Sequence, residues 1–239
     1  MVAVAGSLAL AAPLANADVV GLGASVNYWD SELSGDAGTN GDVVDLENTL
    51  NLDSDTNANA SVYFEHPVPV LPNVKLNYTL IEQSGRGELG LSDFDNVPAG
   101  VPVQSELDLE QLDLTLYYEI LDNWVNLGLT ARDVDGELIV RESAANGAVS
   151  QTDIDGVIPM GYLAARFDLP FSGVSVGGEG NFVSYDGDSI NDYSLYGQYE
   201  FAMLQVRAGY RQLAIDYEDD DDRLDVDIDD PFISAGVAF

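Results

Sequence analysis

The chain has 239 residues, 42 acids against 8 bases, a formal net charge of −34 and no cysteine. That charge repels nucleic acid and excludes it as a partner. The missing thiols exclude disulfides, thiolate chemistry and most structural zinc sites, and suit passage through an oxidising compartment. Hydrophobic residues make up 46% of the chain, yet they are interleaved with polar ones, as strands with one apolar and one polar face require.

Residues 1–17 are small, apolar and uncharged, and close on Ala15-Asn16-Ala17. This small-x-small ending predicts a signal peptide over 1–17, cleaved between Ala17 and Asp18. The usual positive n-region is missing, so either the true start lies upstream or the signal is weak. No later run is long and apolar enough for a transmembrane helix, and the mature chain, 18–239, reads as one domain.

Period-two alternation then recurs ten times. The apolar faces run through Leu22–Tyr28, Ala58–Phe64, Val74–Leu80, Leu112–Ile120 and Val125–Ala131, then through Gly161–Phe167, Val174–Phe182, Leu195–Phe201, Leu204–Tyr210 and a last strand starting near Leu224. The fold expected is all-β: a transmembrane antiparallel β-barrel of ten strands, with eight as the alternative because residues 34–58 are hard to parse. Connections alternate. Short ones fall at His66–Pro72, Leu121–Asn123, Leu169–Gly173 and Ala202–Met203. Longer acidic ones fall at Leu33–Asp55, Glu88–Gln104, Glu142–Gln151, Asp186–Asp192 and Glu218–Arg223. That asymmetry belongs to barrels with short periplasmic turns and long outer loops. Aromatics such as Phe64, Tyr118, Trp124, Phe167, Phe201 and Phe239 gather beside the short turns. Tyr28, Tyr185, Tyr193, Tyr210 and Tyr217 gather at the other rim, predicting two interfacial girdles.

The chain ends on Phe232–Phe239, with Ile233, Ala235, Val237 and Phe239 on one face. Ile233, Val237 and Phe239 resemble the barrel-closing C-terminal signature of outer-membrane barrels, a resemblance that implies the barrel-assembly machinery as a partner. With the signal-like start and the stretch Glu65-His66-Pro67-Val68-Pro69-Val70-Leu71-Pro72-Asn73-Val74, this ending resembles an uncharacterised family of small proteobacterial outer-membrane β-barrel proteins. The resemblance implies fold and location in the bacterial cell outer membrane, with lipid and lipopolysaccharide as surroundings, and no activity. Two changes of parity, near Pro231 and between Leu109 and Leu112, predict β-bulges.

Alternation points Lys75, Arg132, Arg166, Arg207 and Arg211 into the lumen, with Asp113, Glu119, Asp168, Glu179 and Glu200 facing them. This lumen polar cluster reads as a salt-bridged interior filling a narrow barrel, against a charged constriction that selects ions. The run Asp219, Asp220, Asp221 and Asp222 sits in the densest acidic segment and is expected to hold calcium or magnesium weakly; no other cofactor is expected. His66, the one histidine, falls at a short turn and reads as a residue bonded to backbone. No catalytic residue emerges, so no enzyme is expected. The function expected is a monomeric structural or surface-interaction barrel with acidic outer loops. A small cation-favouring channel is the second reading, and a surface hydrolase using rim carboxylates the third.

Overall fold

The computed structural model describes residues 20–39, 42–52, 55–91, 93–121, 124–219 and 222–239. The expected signal peptide, with Ala17 and Asp18, lies outside them. The strands are β1 (Gly21–Thr39), β2 (Asp42–Asp45), β3 (Asp55–Glu65), β4 (Asn73–Glu88), β5 (Pro102–Ile120) and β6 (Val125–Glu142), followed by β7 (Val149–Leu169), β8 (Val174–Tyr185), β9 (Asp188–Phe201), β10 (Leu204–Asp219) and β11 (Asp222–Ala238). From β3 onward each strand pairs antiparallel with the next, β3 pairs with β1, and β11 returns to β1. Ten strands, β1 and β3–β11, therefore close a barrel; towards the long-loop end the ladder opens, with β4 beyond Leu80 and β7 before Gly161 pairing along one edge. Phe239 joins the seam at its short-turn end: its N–H donates to the Leu22 carbonyl at 2.8 Å and its carbonyl accepts from the Leu22 N–H at 3.2 Å. The ten-strand reading holds, and the hard segment around 34–58 resolves into the upper half of β1, the short β2 and a turn.

The outer wall near the short turns is apolar, because β-branched, leucyl and aromatic side chains alternate outward there. On β5, Leu112, Leu114, Leu116, Tyr118 and Ile120 are all exposed. Eight residue steps at about 3.3 Å each, tilted by about 40°, cover about 20 Å along the barrel axis, close to the apolar band of a membrane-spanning barrel. Phe64, Tyr118, Trp124, Phe167, Phe201 and Phe239 edge this band on the short-turn side, and Tyr28, Tyr78 and Tyr210 lie outward near the opposite edge. Trp124 and Phe167 meet edge to face with centroids 5.0 Å apart.

Three expectations need correction. First, the strands run well past the apolar band, so much of the anticipated outer-loop sequence is β-structure. β1 continues to Thr39, and Asp186–Asp192 contributes only the two-residue turn Asp186-Gly187 before β9 begins at Asp188. Both turn residues have positive φ, 52° and 109°, the conformation a tight hairpin needs and an Asp-Gly pair supplies.

Second, no bulge accompanies either change of parity. β4–β5 and β5–β6 keep one register throughout, from Asn73↔Tyr117 to Glu88↔Pro102 and from Val103↔Glu142 to Ile120↔Val125. β10–β11 likewise runs unbroken from Leu204↔Val237 to Asp219↔Asp222. Opposite Pro231, which lacks an N–H, the β1 pairing pauses after Trp29↔Phe232 and resumes at Glu32↔Asp229 in the same register.

Third, the interior is not filled by the polar cluster alone: the parity changes because the apolar side chains change face and enter the lumen. Leu107 and Leu109, Val226 and Ile228 point inward and are buried, while Leu112, Leu114 and Ile233 point outward. Above the apolar band the outward positions become Asp30, Glu82, Glu110, Asp133 and Asp155. The inward positions become a hydrophobic core built on Trp29, Leu33, Ile81, Val134, Leu138 and Leu213.

Candidate functional site: a layered lumen closed at one end

The long-loop end is sealed. Leu46, Leu50 and Leu52, from the segment after β2, join the hydrophobic core together with Leu89, Phe94 and Val97 from the β4–β5 connection. Glycines on the inner wall of β4 make room for the first segment. A Cβ at Gly85 would lie 2.0 Å from the Asn51 carbonyl oxygen, and one at Gly87 1.8 Å from that of Thr49. The Asn51 side chain also donates to the Arg86 carbonyl at 2.7 Å. Burial of each leucine contributes about 1.5–3 kcal/mol, so this lid is held by packing.

Beneath the core lies a neutral charge layer. Arg132 grips Asp113 through two bonds, Nε to Oδ1 at 2.7 Å and Nη2 to Oδ2 at 2.8 Å. The same Nη2 reaches Asp192 Oδ2 at 2.6 Å. Arg211 holds Asp192 through Nη2 at 2.9 Å and Nε at 3.0 Å, and its guanidinium lies 4.6 Å from the Trp29 ring centroid. Arg132 and Asp113 are almost wholly buried, at 1% and 2% side-chain exposure. Two cations and two anions cancel, which is what burial at that depth demands.

A second layer, nearer the short turns, centres on Glu179. Lys75 Nζ lies 2.5 Å from its Oε2 and Arg207 Nη1 4.0 Å from its Oε1, and the Tyr162 hydroxyl donates to Oε2 at 3.1 Å. Arg207 also donates to Gln198 and stacks 4.6 Å from the Tyr196 centroid. Between these layers runs a hydroxyl and amide mesh, including Thr115–Thr130 at 2.8 Å, Thr130 to Asn181 at 2.6 Å and Asn59 to Asn77 at 2.9 Å.

The third layer is the mouth at the short-turn end. Arg166 contacts Asp168 at 3.3 Å and Glu200 at 3.6 Å, and all three are solvated. Glu65 accepts from the Tyr117 hydroxyl at 2.8 Å, with Glu119 lining the same wall. A vestibule of about 290 Å³ lies between the mouth and the Glu179 layer. A smaller cavity of about 70 Å³ continues inward and shares Lys75, Tyr162, Glu179, Tyr196 and Arg207 with it. Beyond the smaller cavity lie the Arg132 layer and the hydrophobic core.

The ten expected lumen residues thus fall into three layers. Arg132, Arg211 and Asp113 share one, Lys75, Arg207 and Glu179 the next, and Arg166, Asp168, Glu200 and Glu119 line the mouth. Asp192 is the residue that sequence reasoning missed. It lies in a segment read as loop, although stepping back by twos from Gln198 through Tyr196 and Ser194 reaches it on the same face. Glu65, Tyr117, Tyr162 and Tyr196 also face inward, each on the face opposite the outward apolar run of its strand.

The Asp219–Asp222 run lies at the tip of the β10–β11 hairpin, where the backbones of Asp219 and Asp222 pair; Asp220 and Asp221 lie outside the described residues. Among the described residues no three histidine or acidic groups are placed to hold a metal ion. Asp45 belongs to the lid, and its carboxylate accepts from the Asn48 N–H at 2.8 Å and from its side chain at 2.9 Å. Those bonds hold its pKa below the usual carboxylate value. His66 staples its turn: Nδ1 accepts from the Val68 N–H, and Nε2 faces the Pro72 carbonyl, both at 3.2 Å.

No family model and no curated protein matches the chain. Solved structures similar to it are bacterial barrels. Ail, the attachment invasion locus protein of Yersinia pestis, in complex with the heparin analogue sucrose octasulfate, is 12% identical, covering 92% of this chain and 99% of that one, with a TM-score of 0.39. A FadL homologue of Pseudomonas aeruginosa is 10% identical over 93% and 90%, with a TM-score of 0.40. Neisserial surface protein A is 13% identical over 92% and 95%, with a TM-score of 0.28. At such identities and scores the likeness assigns no function. The chain's own closed ladder and apolar outer band make it a transmembrane antiparallel β-barrel of the outer-membrane type.

Proposed function

We propose that this protein is a structural or surface-interaction barrel of the bacterial outer membrane. Its short turns face the periplasm, and its acidic upper wall stands outside the cell. The observation that carries the reading is the change of face. Where the barrel leaves the apolar band, its lumen fills with hydrophobic side chains and its outer wall turns acidic. A wall of that kind is built to stand in water and to be seen there, and a dry core across the lumen opposes the passage of ions.

The acids just above the band, Asp30, Glu82, Glu110, Asp133 and Asp155, lie at the headgroup level of the outer leaflet. There, weakly held calcium or magnesium links them to the anionic lipopolysaccharide, since hard cations accept carboxylate and phosphate oxygens together. The chain acts as a monomer, inserted by the barrel-assembly machinery through β11. Catalysis forms no part of this reading, because His66 is engaged at its turn and has no partner arrangement for proton transfer.

The test is conductance of the refolded protein in planar bilayers under a salt gradient, with and without calcium. A folded, heat-modifiable and electrically silent barrel is expected. Reproducible cation-selective steps that weaken on neutralising Asp113, Glu119 or Glu200 would replace this reading with that of a small cation channel.

A further inference from the structure

The vestibule has a use that a merely filled interior would not need. We propose that it binds a linear organic polycation of polyamine type, admitted from the short-turn side and stopped inside the barrel. This goes beyond the surface role proposed above and does not depend on it.

Charge is distributed unevenly along the lumen. The deepest layer is neutral, with Arg132 and Arg211 against Asp113 and Asp192. The middle layer sets Lys75 and Arg207 against Glu179 alone. The mouth sets Glu65, Glu119, Asp168 and Glu200 against Arg166, the one base there. Arg166 is engaged by Asp168 and Glu200, and neither Glu65 nor Glu119 forms an ion pair within 4.0 Å among the described residues. The Glu65 and Glu119 side chains hydrogen-bond to each other, which requires a shared proton. The pair therefore faces the enclosed space as one negative charge with no cation of its own, and an ammonium entering beside it would take that proton's place.

The rest of the lining selects the kind of cation. Tyr63, Tyr117, Tyr162 and Tyr196 line the vestibule. Arg207 covers the Tyr196 ring and Lys75 that of Tyr162, while the partly exposed Tyr63 offers a ring face on which an ammonium gains cation–π stabilisation beside a carboxylate. Tyr117 and Tyr162 are buried and anchored by their bonds to Glu65 and Glu179, so their rings are fixed before a ligand arrives. Asn126 lines the same wall, and its amide oxygen is buried without a hydrogen-bond partner, an acceptor awaiting an N–H donor. Among the described residues no three acids converge to hold a divalent ion, whereas each ammonium needs only one carboxylate and one ring.

A space of about 290 Å³ is near the lower end for small-ligand pockets, roughly 300 Å³. The Lys75–Arg207 pair at its inner end repels a cation that travels deeper. The site therefore retains its ligand and does not conduct it.

The test titrates spermidine into the refolded mature protein in neutral detergent at about 0.15 M salt, where long-range charge is screened. Binding is read by calorimetry and by the emission of Trp124, which lines the vestibule. Saturable binding is expected, weakened roughly tenfold or more (about 1.4 kcal/mol) by Glu65→Gln with Glu119→Gln, and left unchanged by Asp225→Asn with Asp227→Asn on the outer wall. Magnesium at equal charge should compete poorly. Heat-modifiability of both variants reports that the barrel still folds. The proposal is overturned by absence of saturable binding, by equal weakening from the outer-wall variant, or by full competition from magnesium. Conductance of small ions alone would defeat the surface reading while the binding results above still decide this proposal, whereas passage of spermidine through the barrel would overturn the proposal as well.

Discussion

The two ends of this barrel solve opposite solvation problems with one ladder. Around Leu114 the outside is apolar and the inside holds Thr115, Asp113 and Arg132. Around Glu106 the outside is charged and the inside holds Leu107 and Val103. The strand and its register continue through the change, and only the assignment of side chains to faces is exchanged. Geometry therefore does not dictate which face is dry; the surrounding medium does. Lipid requires an apolar exterior and leaves the polar groups to pair within, whereas water requires a polar exterior and drives the apolar groups inward.

The comparison is broken most severely where the two ends meet. Asp192 serves both Arg132 and Arg211, so Asp192→Ala leaves buried positive charge uncompensated and should cost about 3–5 kcal/mol, read as a shift in urea unfolding of the folded barrel in lipid or detergent. A cost near zero would mean that water already reaches this layer.

Next in size is a charge placed on each outer wall. Leu114→Arg lies within the apolar band and should destabilise by about 2–4 kcal/mol in a bilayer. Glu106→Arg, on the acidic wall, should stay within about 0.5 kcal/mol. Equal effects at the two positions would erase the boundary between the zones. The lid gives a third, intermediate effect. Gly87→Ala inserts a methyl against the Thr49 carbonyl and should cost about 1–3 kcal/mol, with faster proteolysis of residues 46–52 while the membrane zone remains protected.

The smallest effect belongs to Asp45. Its pKa is lowered in the folded protein, so its contribution is present above its unfolded value near 3.8 and is lost as pH falls below that. Asp45→Asn should remove well under 1 kcal/mol at neutral pH, because the group is largely solvent-exposed. It should also flatten the acid end of the stability profile of the lid segment, followed by hydrogen exchange at Asn48.

Much of the fold was legible because alternation is a local property. Ten outward-facing runs, the short turns and the aromatic girdles follow from period two and from turn residues, and they led to the ten-stranded barrel. Asp186-Gly187 itself specifies a tight hairpin, yet the acids around it have the composition of a loop. The parity changes at Leu109–Leu112 and at Pro231 carried the largest error. A switch of apolar residues from one face to the other has the same sequence pattern as a one-residue bulge, and only the pairing register tells them apart. The layering of the lumen was not legible either, since Arg132 meets Asp192 across 60 residues of sequence and Lys75 meets Glu179 across 104. Alternation along the chain fixes the strands, their outward faces in the membrane zone and most of the inward charges, Asp192 and Glu65 excepted, because each depends on near neighbours. Tertiary structure alone decided which charges pair, where the lumen closes and where the vestibule remains, because those depend on closing the ladder between β11 and β1 and on side chains meeting across the barrel.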